Sequence, residues 1–267
     1  LAEIHATAIL EGDVQLAADV RVGPWCRLRG PISIGAGTQL VANVQLDGPL
    51  RMGARNRLFP FVALGMAPQD LAWDPDEPGA GLVIGDDNVF RESATVHRAT
   101  SHERPTQLGD GNYFMVNTHA GHDCRIGSRC VFANGTLLAG HVEVGDRVVT
   151  GGNVAVHQHC RVGRGALLSG TMGLNKDLPP FFMLTGGNIA GSINLVGMRR
   201  SGMPSAEIDD ARWVFKQLYR KGLSPQQALA ELKTRADRAI VAEYVAFIES
   251  SQRGIVPGAG EARRGTA

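Results

Sequence analysis

The chain has 267 residues, 34 of them glycine, with 6% aromatics and a formal net charge of +1. A balanced charge gives no reason to expect nucleic acid or an anionic membrane as a partner, and the length fits one large domain or two modest ones. No basic-then-apolar leader opens the chain and no long apolar run occurs, so a soluble cytoplasmic protein without a membrane span is expected.

From Ile4 a large aliphatic residue returns every sixth position, through Leu10, Leu16, Val22, Leu28, Ile34 and Leu40 to Leu64. A second run holds Ile84, Phe90 and Val96, and a third extends from Leu108 to Leu174 with only Ala120 and Thr150 departing from the large apolar type. The fifth place of each hexad is usually small or apolar as well, and all four cysteines (Cys26, Cys124, Cys130, Cys160) fall there. Buried thiols are therefore expected rather than disulfides or a zinc-finger pattern. A period of six matches neither a helix nor an alternating strand, and it marks a parallel β-solenoid. The pattern resembles the left-handed β-helix of the hexapeptide-repeat acyltransferases. There three hexads form one triangular coil of about 18 residues, with a glycine or small residue easing each corner, and the coils stack ~4.8 Å apart.

Two stretches break the period. The segment GMAPQDLAWDPDEPGAG reads as a loop thrown out near residues 66–83, and the wholly polar hexad HERPTQ implies a second excursion near 100–107. Loops on a rigid scaffold commonly present binding groups. After Leu174 the repeat dissolves. Spacing turns helical from Ser205 to about Lys221, with Gly222 as a C-cap candidate. Ser224, Pro225 and Gln227 form a helix start with a capping box, and another helix is expected from Asp237 to Ser250. The resulting division is a solenoid over 1–190, a small C-terminal α-helical domain over 191–256 that caps the last coil, and a disordered tail over 257–267. The fold class is mainly β.

Five of the eight histidines lie within the Leu108–Leu174 array. Residues one coil apart stack, so His122, Gly140 and Gln158 form one column and Asp123, His141 and His159 the next. These are third and fourth hexad places, which point outward. Core burial of His122 is thereby excluded by register.

The resemblance is specific in the stretches IHATAI, VGPWC, QDL, RESATVHR, NTHAGHDC, ANGTLLAGHV, AVHQHC and DLPPF. Over nearly its whole length the chain resembles the UDP-N-acetylglucosamine O-acyltransferases, which begin lipid A synthesis. H-x-x-H-D-C followed by L-A-G-H-V is the strongest part of that signal. The resemblance implies that His122 is the general base. It would take a proton from the sugar 3-hydroxyl as that oxygen attacks a 3-hydroxyacyl thioester on acyl carrier protein. An imidazole is mostly neutral at working pH and suits the task. It also implies that the Gly140 amide holds the oxyanion, that no cofactor or metal is needed, and that the protein is a homotrimer. Asp123, stacked against His141, is assigned to positioning. Gln69, Asp70, His97, His119, His141, His157, Gln158, Asn194 and Arg200 match positions around the nucleotide-sugar. Gly170 matches the limit of the acyl pocket, and a coil-corner glycine is the competing reading.

Three positions depart from the family pattern: Ala72 stands where the family has Lys, Val196 where it has Glu, and Ser201 where it has Arg. Loss of two cations weakens pyrophosphate binding, so a relative acting on a different amino-sugar nucleotide is the first alternative. A zinc-dependent lyase of the γ-carbonic-anhydrase kind, using His119, His122, His141 or His157, is a second. A catalytically idle binding scaffold is a third.

Overall fold

The computed structural model describes residues 1–74 and 76–259. Among the described residues, short strands of two to five residues build three sheets, parallel except for one terminal hairpin of sheet A, that close a triangular prism: sheet A with eleven strands, sheet B with nine and sheet C with eight. The fold is the left-handed parallel β-helix expected from the hexads.

Register follows the coil arithmetic. His119 pairs with Leu137 and Leu137 with Ala155, each one coil above the last. The hexad starters and fifth-place residues fill the prism: Leu28, Leu58, Leu64, Val62, Val154 and Cys160 are wholly buried. Full burial of one such aliphatic side chain contributes about 1.5–3 kcal/mol. The first coil is the exception: Ile4 is 49% exposed, and Leu10, Val14 and Leu16 are only half-buried. Phe90, Phe114 and Phe132 occupy the same slot on successive coils, with centroids 4.9 and 4.8 Å apart, so the rung spacing itself sets their stacking.

The corners are not built as expected. The fourth hexad place turns the chain with a left-handed backbone conformation, and it is mostly not glycine: Trp25 (φ 60°), Arg55 (55°), Phe61 (66°), Asp123 (59°), His141 (59°) and His159 (61°) all adopt it. Glycine instead recurs directly after the starter, where coils approach too closely for a side chain. A Cβ on Gly23 would run into the Val41 carbonyl oxygen of the next coil. Glycine here answers to backbone packing between rungs rather than to turning.

The first excursion is slightly shorter than the sequence suggested, and the second has the expected length but starts two residues earlier. Strands Ala63–Met66 and Leu82–Ile84 bound the first at residues 67–81, and Thr95–His97 and Thr106–Leu108 bound the second at 98–105. Thr106 stays in the sheet because it is buried and its hydroxyl accepts the Asp123 amide at 2.8 Å. All four cysteines are free and buried.

Beyond the last coil, Phe182–Gly186 and Ile189–Ile193 form an antiparallel hairpin that extends sheet A. The boundary expected at 190/191 falls inside its second strand. A short helix missed by the sequence reading, α1 (Leu195–Arg200), follows. Then come α2 (Ser205–Tyr219), α3 (Pro225–Lys233) with the anticipated capping box and N1 proline, and α4 (Ala239–Glu249). Gly222 lies two residues past the Arg220 C-cap of α2, with φ 68°. Phe182 joins hairpin to helices, its ring meeting Phe215, Tyr219 and Tyr244 at 5.2, 5.7 and 5.4 Å. The buried Tyr244 hydroxyl donates to the Pro180 carbonyl at 2.9 Å. These contacts cover the apolar end of the solenoid. At the start of the tail expected from residue 257, Pro257 accepts the Ala190 amide at 2.9 Å and Gly258 bridges to Ala190. Residues 260–267 of that tail lie outside the described residues.

Candidate active site

The corner between sheets B and C carries the histidine columns. His122 leaves the strand His119–Ala120 at the third hexad place, with its side chain outside the prism and 16% exposed. The backbone ladder fixes its height: His141 donates its amide to the His122 carbonyl at 2.9 Å, and His159 to the Gly140 carbonyl at 3.2 Å. The imidazole lies flat over Gly140 of the next coil. A Cβ at Gly140 would come within 2.7 Å of both Cε1 and Nε2 of His122. Glycine at 140 is what lets a base and a main-chain amide share one small volume. That amide donates to no acceptor among the described residues, so it is available to a bound group.

Asp123 completes the arrangement. Its Oδ2 lies 2.8 Å from His122 Nδ1 and accepts the Thr100 hydroxyl (2.7 Å) and amide (3.0 Å), while Oδ1 accepts the Ser101 amide at 3.2 Å. Burial by itself would raise this carboxyl. The hydrogen bonds from His122, Thr100 and Ser101 outweigh it and hold the group well below the usual carboxylate range. An ionised carboxylate only accepts, so His122 carries a proton on Nδ1, and the neutral ring turns a bare Nε2 toward Gly140.

His141 packs edge-on to His122 at 5.1 Å, stacks on His159 at 4.5 Å, and brings Nε2 to 3.7 Å from Asp123 Oδ2. Burial, opposed by the Asp123 charge, leaves His141 below the ordinary imidazole value, and the charge of Asp70 from the first loop also reaches it. The column opens into a cavity lined by Ser101, Arg104, Asp123, His141, His159 and Arg253 among others. Among the described residues, His122, Asp123 and His141 are the group whose ligand atoms all lie within 4.8 Å of one another. Their chemistry suits a hydrogen-bonded chain better than a metal centre. Asp123 Oδ2 already takes three donors, and a cation would have to displace the Nδ1 proton of His122.

On the face of sheet B, His119 pairs in register with Thr95 and shares a 2.8 Å hydrogen bond with its hydroxyl through Nδ1. His97 packs edge-on to His119 at 5.1 Å, and its buried Nδ1 has no hydrogen-bond partner among the described residues. Burial, followed by the charges of His97 and His122, holds the pKa of His119 down to about 4. Between the ordinary value of 6.5 and 4, the unfolded chain binds a proton at residue 119 that the folded chain does not. Stability contributed by this site is therefore present above 6.5 and lost as pH falls toward 4. His119→Gln is expected to flatten the fall of the urea midpoint across that window. Equal slopes in the two proteins would contradict the burial account.

The remaining expected site residues are scattered. Gln69 and Asp70 are exposed on the first loop, and His157 and Gln158 are exposed on the coil above Gly140. Gly170 sits at the A–B corner, away from His122. Its φ is not left-handed, and an added Cβ would stand 3.2 Å from the Gly152 carbonyl oxygen. Asn194 is buried near the C–A corner, where its Nδ2 donates to the Gly165 carbonyl (3.0 Å) and its Oδ1 accepts the Gly197 amide (2.9 Å) as the N-cap of α1. Arg200 is exposed at the far end of that helix. Of the divergent positions, Ala72 and Val196 are exposed, and the Ser201 hydroxyl donates to the Met198 carbonyl at 2.7 Å. Thr100 and Ser101, which hold Asp123, were not singled out by sequence. Nothing in a polar loop announces which donors fold back onto a corner.

The family model described as UDP N-acetylglucosamine O-acyltransferase, domain 2, matches residues 177–256, the hairpin and helices. The acyl-[acyl-carrier-protein]--UDP-N-acetylglucosamine O-acyltransferase of Janthinobacterium sp. (strain Marseille) is 38% identical over 260 residues, covering 95% of this chain and 98% of the relative. That of Pseudomonas paraeruginosa is 41% identical over 255 residues, covering 94% and 98%. The solved UDP-N-acetylglucosamine acyltransferase of Francisella novicida superposes with a TM-score of 0.93 at 34% identity, covering 97% of this chain and 95% of that one. The Campylobacter jejuni structure gives 0.89 at 31%, covering 96% and 99%. Similarity on this scale takes in both the solenoid with its histidine columns and the helical end, and the chain belongs to the UDP-N-acetylglucosamine O-acyltransferase family.

Proposed function

We propose that the protein transfers a 3-hydroxyacyl chain from acyl carrier protein to the 3-hydroxyl of UDP-N-acetylglucosamine, the first step of lipid A biosynthesis. The observation that carries this reading is the His122 imidazole lying against Gly140 with its Nδ1 tied to Asp123. His122 Nε2 takes the proton of the sugar hydroxyl as its oxygen bonds to the thioester carbonyl carbon. The oxyanion so formed is met by the Gly140 amide, a fixed donor that needs no reorganisation. Collapse breaks the carbon–sulfur bond, and the proton on His122 leaves with the phosphopantetheine thiolate.

Asp123 keeps the imidazole in the productive tautomer. Asp123→Asn is expected to lower kcat about 10–100-fold, less than loss of the base itself. A kcat within twofold of the wild-type value, measured at saturating substrates, would remove Asp123 from the scheme.

Around the acceptor we assign Gln69, Asp70, His97, His119, His141, His157 and Gln158, with the unpartnered Nδ1 of His97 as a hydrogen-bonding group for the sugar. Gly170, Asn194 and Arg200 stand at other corners of the prism, so a common site with His122 calls for a neighbouring protomer. A homotrimer of prisms side by side supplies one. Exposed Trp25 (64%), Phe61 (63%) and Leu137 (48%) are the kind of apolar surface such packing covers. Among the described residues no helix is long and apolar enough to cross a membrane.

The test is to incubate the protein with 3-hydroxyacyl carrier protein and a panel of nucleotide sugars that includes amino-sugar variants, reading the product mass. Acylation of UDP-N-acetylglucosamine through an ester supports the reading. Transfer only to another sugar would make the substitutions at Ala72, Val196 and Ser201 decisive. No transfer to any acceptor would overturn it.

A further inference from the structure

The loop 98–105 is polar, carries no repeat signal, and yet touches the site at its most sensitive point. Thr100 gives two hydrogen bonds to one oxygen of Asp123, from its hydroxyl at 2.7 Å and its amide at 3.0 Å. That oxygen is the one His122 Nδ1 meets at 2.8 Å. Asp123 occupies a left-handed corner with its backbone fixed (φ 59°), and its amide is held by Thr106 at 2.8 Å. The two side-chain torsions are the freedom left. The Thr100 donors, with the Ser101 amide at 3.2 Å on the other oxygen, define the carboxylate plane. The side chain of Asp123 is only 8% exposed, so water does not substitute freely for a missing donor.

The loop is itself braced. The Ala80 amide of the first loop donates to the Ser101 carbonyl at 2.7 Å, and the rings of Trp73 and His102 meet at 5.5 Å. A hydroxyl near the start of this loop is thus held firmly enough to orient a group on the prism.

We infer that Thr100 is a positioning residue for the acyl transfer: its hydroxyl orients the Asp123 carboxylate and, through it, the His122 imidazole over Gly140. This rests on the reading of His122 as the base. Among the described residues Thr100 makes its side-chain hydrogen bond to Asp123 and none to His122, so its effect on the base passes through Asp123. The role also accounts for a polar residue at this point of a loop whose backbone amides alone could have satisfied the carboxylate.

Valine and serine separate the hydroxyl from the shape of threonine. Thr100→Val keeps the volume and the methyl and loses the donor; it is expected to lower kcat about tenfold, the worth of one hydrogen bond to a charged group, with both KM values within about twofold of wild type. Thr100→Ser keeps the donor and loses the methyl, and kcat within about twofold of wild type is expected. Placed on top of Asp123→Asn, Thr100→Val is expected to change kcat by less than about twofold, since its route of action is gone. Thr100→Ala serves as a second variant without the hydroxyl if the valine protein melts early. Wild-type kcat in the valine and alanine variants, a serine variant as slow as valine, or a full additional loss in the Asp123→Asn background would each overturn the inference. Should His122→Ala keep its turnover, the base assignment itself falls. A dead His122→Ala beside a fully active Thr100→Val would instead refute the role of Thr100 alone.

Discussion

His122→Ala is expected to lower kcat by about 10³-fold or more while moving the thermal midpoint by no more than ~6 °C. The two halves of this expectation have different origins. The rate follows from the loss of an imidazole whose Nε2 lies against a main-chain amide that is unengaged among the described residues. A positioned base contributes typically ~10²–10⁴-fold. Neither neighbour can take over, because His141 points its Nε2 toward Asp123 and His119 shares its Nδ1 with Thr95. The stability follows from register. His122 lies outside the prism and supports no core residue, so its removal costs one hydrogen bond to a carboxylate that keeps three other donors. Such a bond is worth about 0.5–3 kcal/mol, depending on how much of the Asp123 charge the remaining donors neutralise. The experiment is a single-turnover assay beside a thermal melt of the same preparation. A variant retaining a tenth of the wild-type rate would displace His122 as base. A melt lowered by tens of degrees would mean that the side chain is part of the core after all.

How far the sequence foretold this site depends on which residues repeat. Period six is legible because two places in every hexad must be apolar to fill the prism, as Leu64, Val62 and Cys160 do. Once that period is read, stacking at one-coil intervals puts His122 over Gly140 and Asp123 beside His141 without further information. What the period does not carry is hidden. The hairpin of Phe182–Gly186 with Ile189–Ile193 obeys no hexad, so this strand pair went unread where the repeat dissolves after Leu174. For α1 a signal existed: Asn194 followed three residues later by Gly197 is an N-cap ahead of a short apolar turn. The left-handed corners were misread for a related reason. Glycine was credited with turning the chain, whereas inter-rung closeness places it after the starter, and residues such as Asp123 and His141 make the turn. Donors from a loop, such as Thr100 and Ser101 on Asp123, depend on tertiary folding of a segment without periodicity. Gly170, Asn194 and Arg200 match the family motif along the chain, yet the prism separates them from His122, since adjacency in the motif says nothing about which corner a residue occupies.

Gly140→Ala is expected to lower kcat about 100-fold or more, through the base rather than through the backbone. The backbone at 140 is not left-handed, so alanine meets no conformational penalty there, and its amide remains where the glycine amide was. The new methyl group, however, would stand 2.7 Å from both Cε1 and Nε2 of His122. Ordinary contact begins near 3.4 Å, so the ring must withdraw by most of an ångström. Its other edge is held by Asp123 at 2.8 Å, which leaves either a stretched Nδ1 bond or a tilted ring as the response. Each carries Nε2 away from the amide, and misplacement by about 1 Å at a reacting centre costs on the order of 10²-fold. Overpacking of this sort also destabilises, by about 1–3 kcal/mol, which lowers the melting temperature. A double variant separates strain from any other effect of the methyl group. In the His122→Ala background the clashing ring is gone, and Gly140→Ala is expected to leave the melting temperature unchanged within about 1 °C. If the methyl group lowers stability equally with and without the imidazole, the two residues do not share the space between their coils. A Gly140→Ala enzyme with wild-type kcat would show that base and amide are not required to meet so closely.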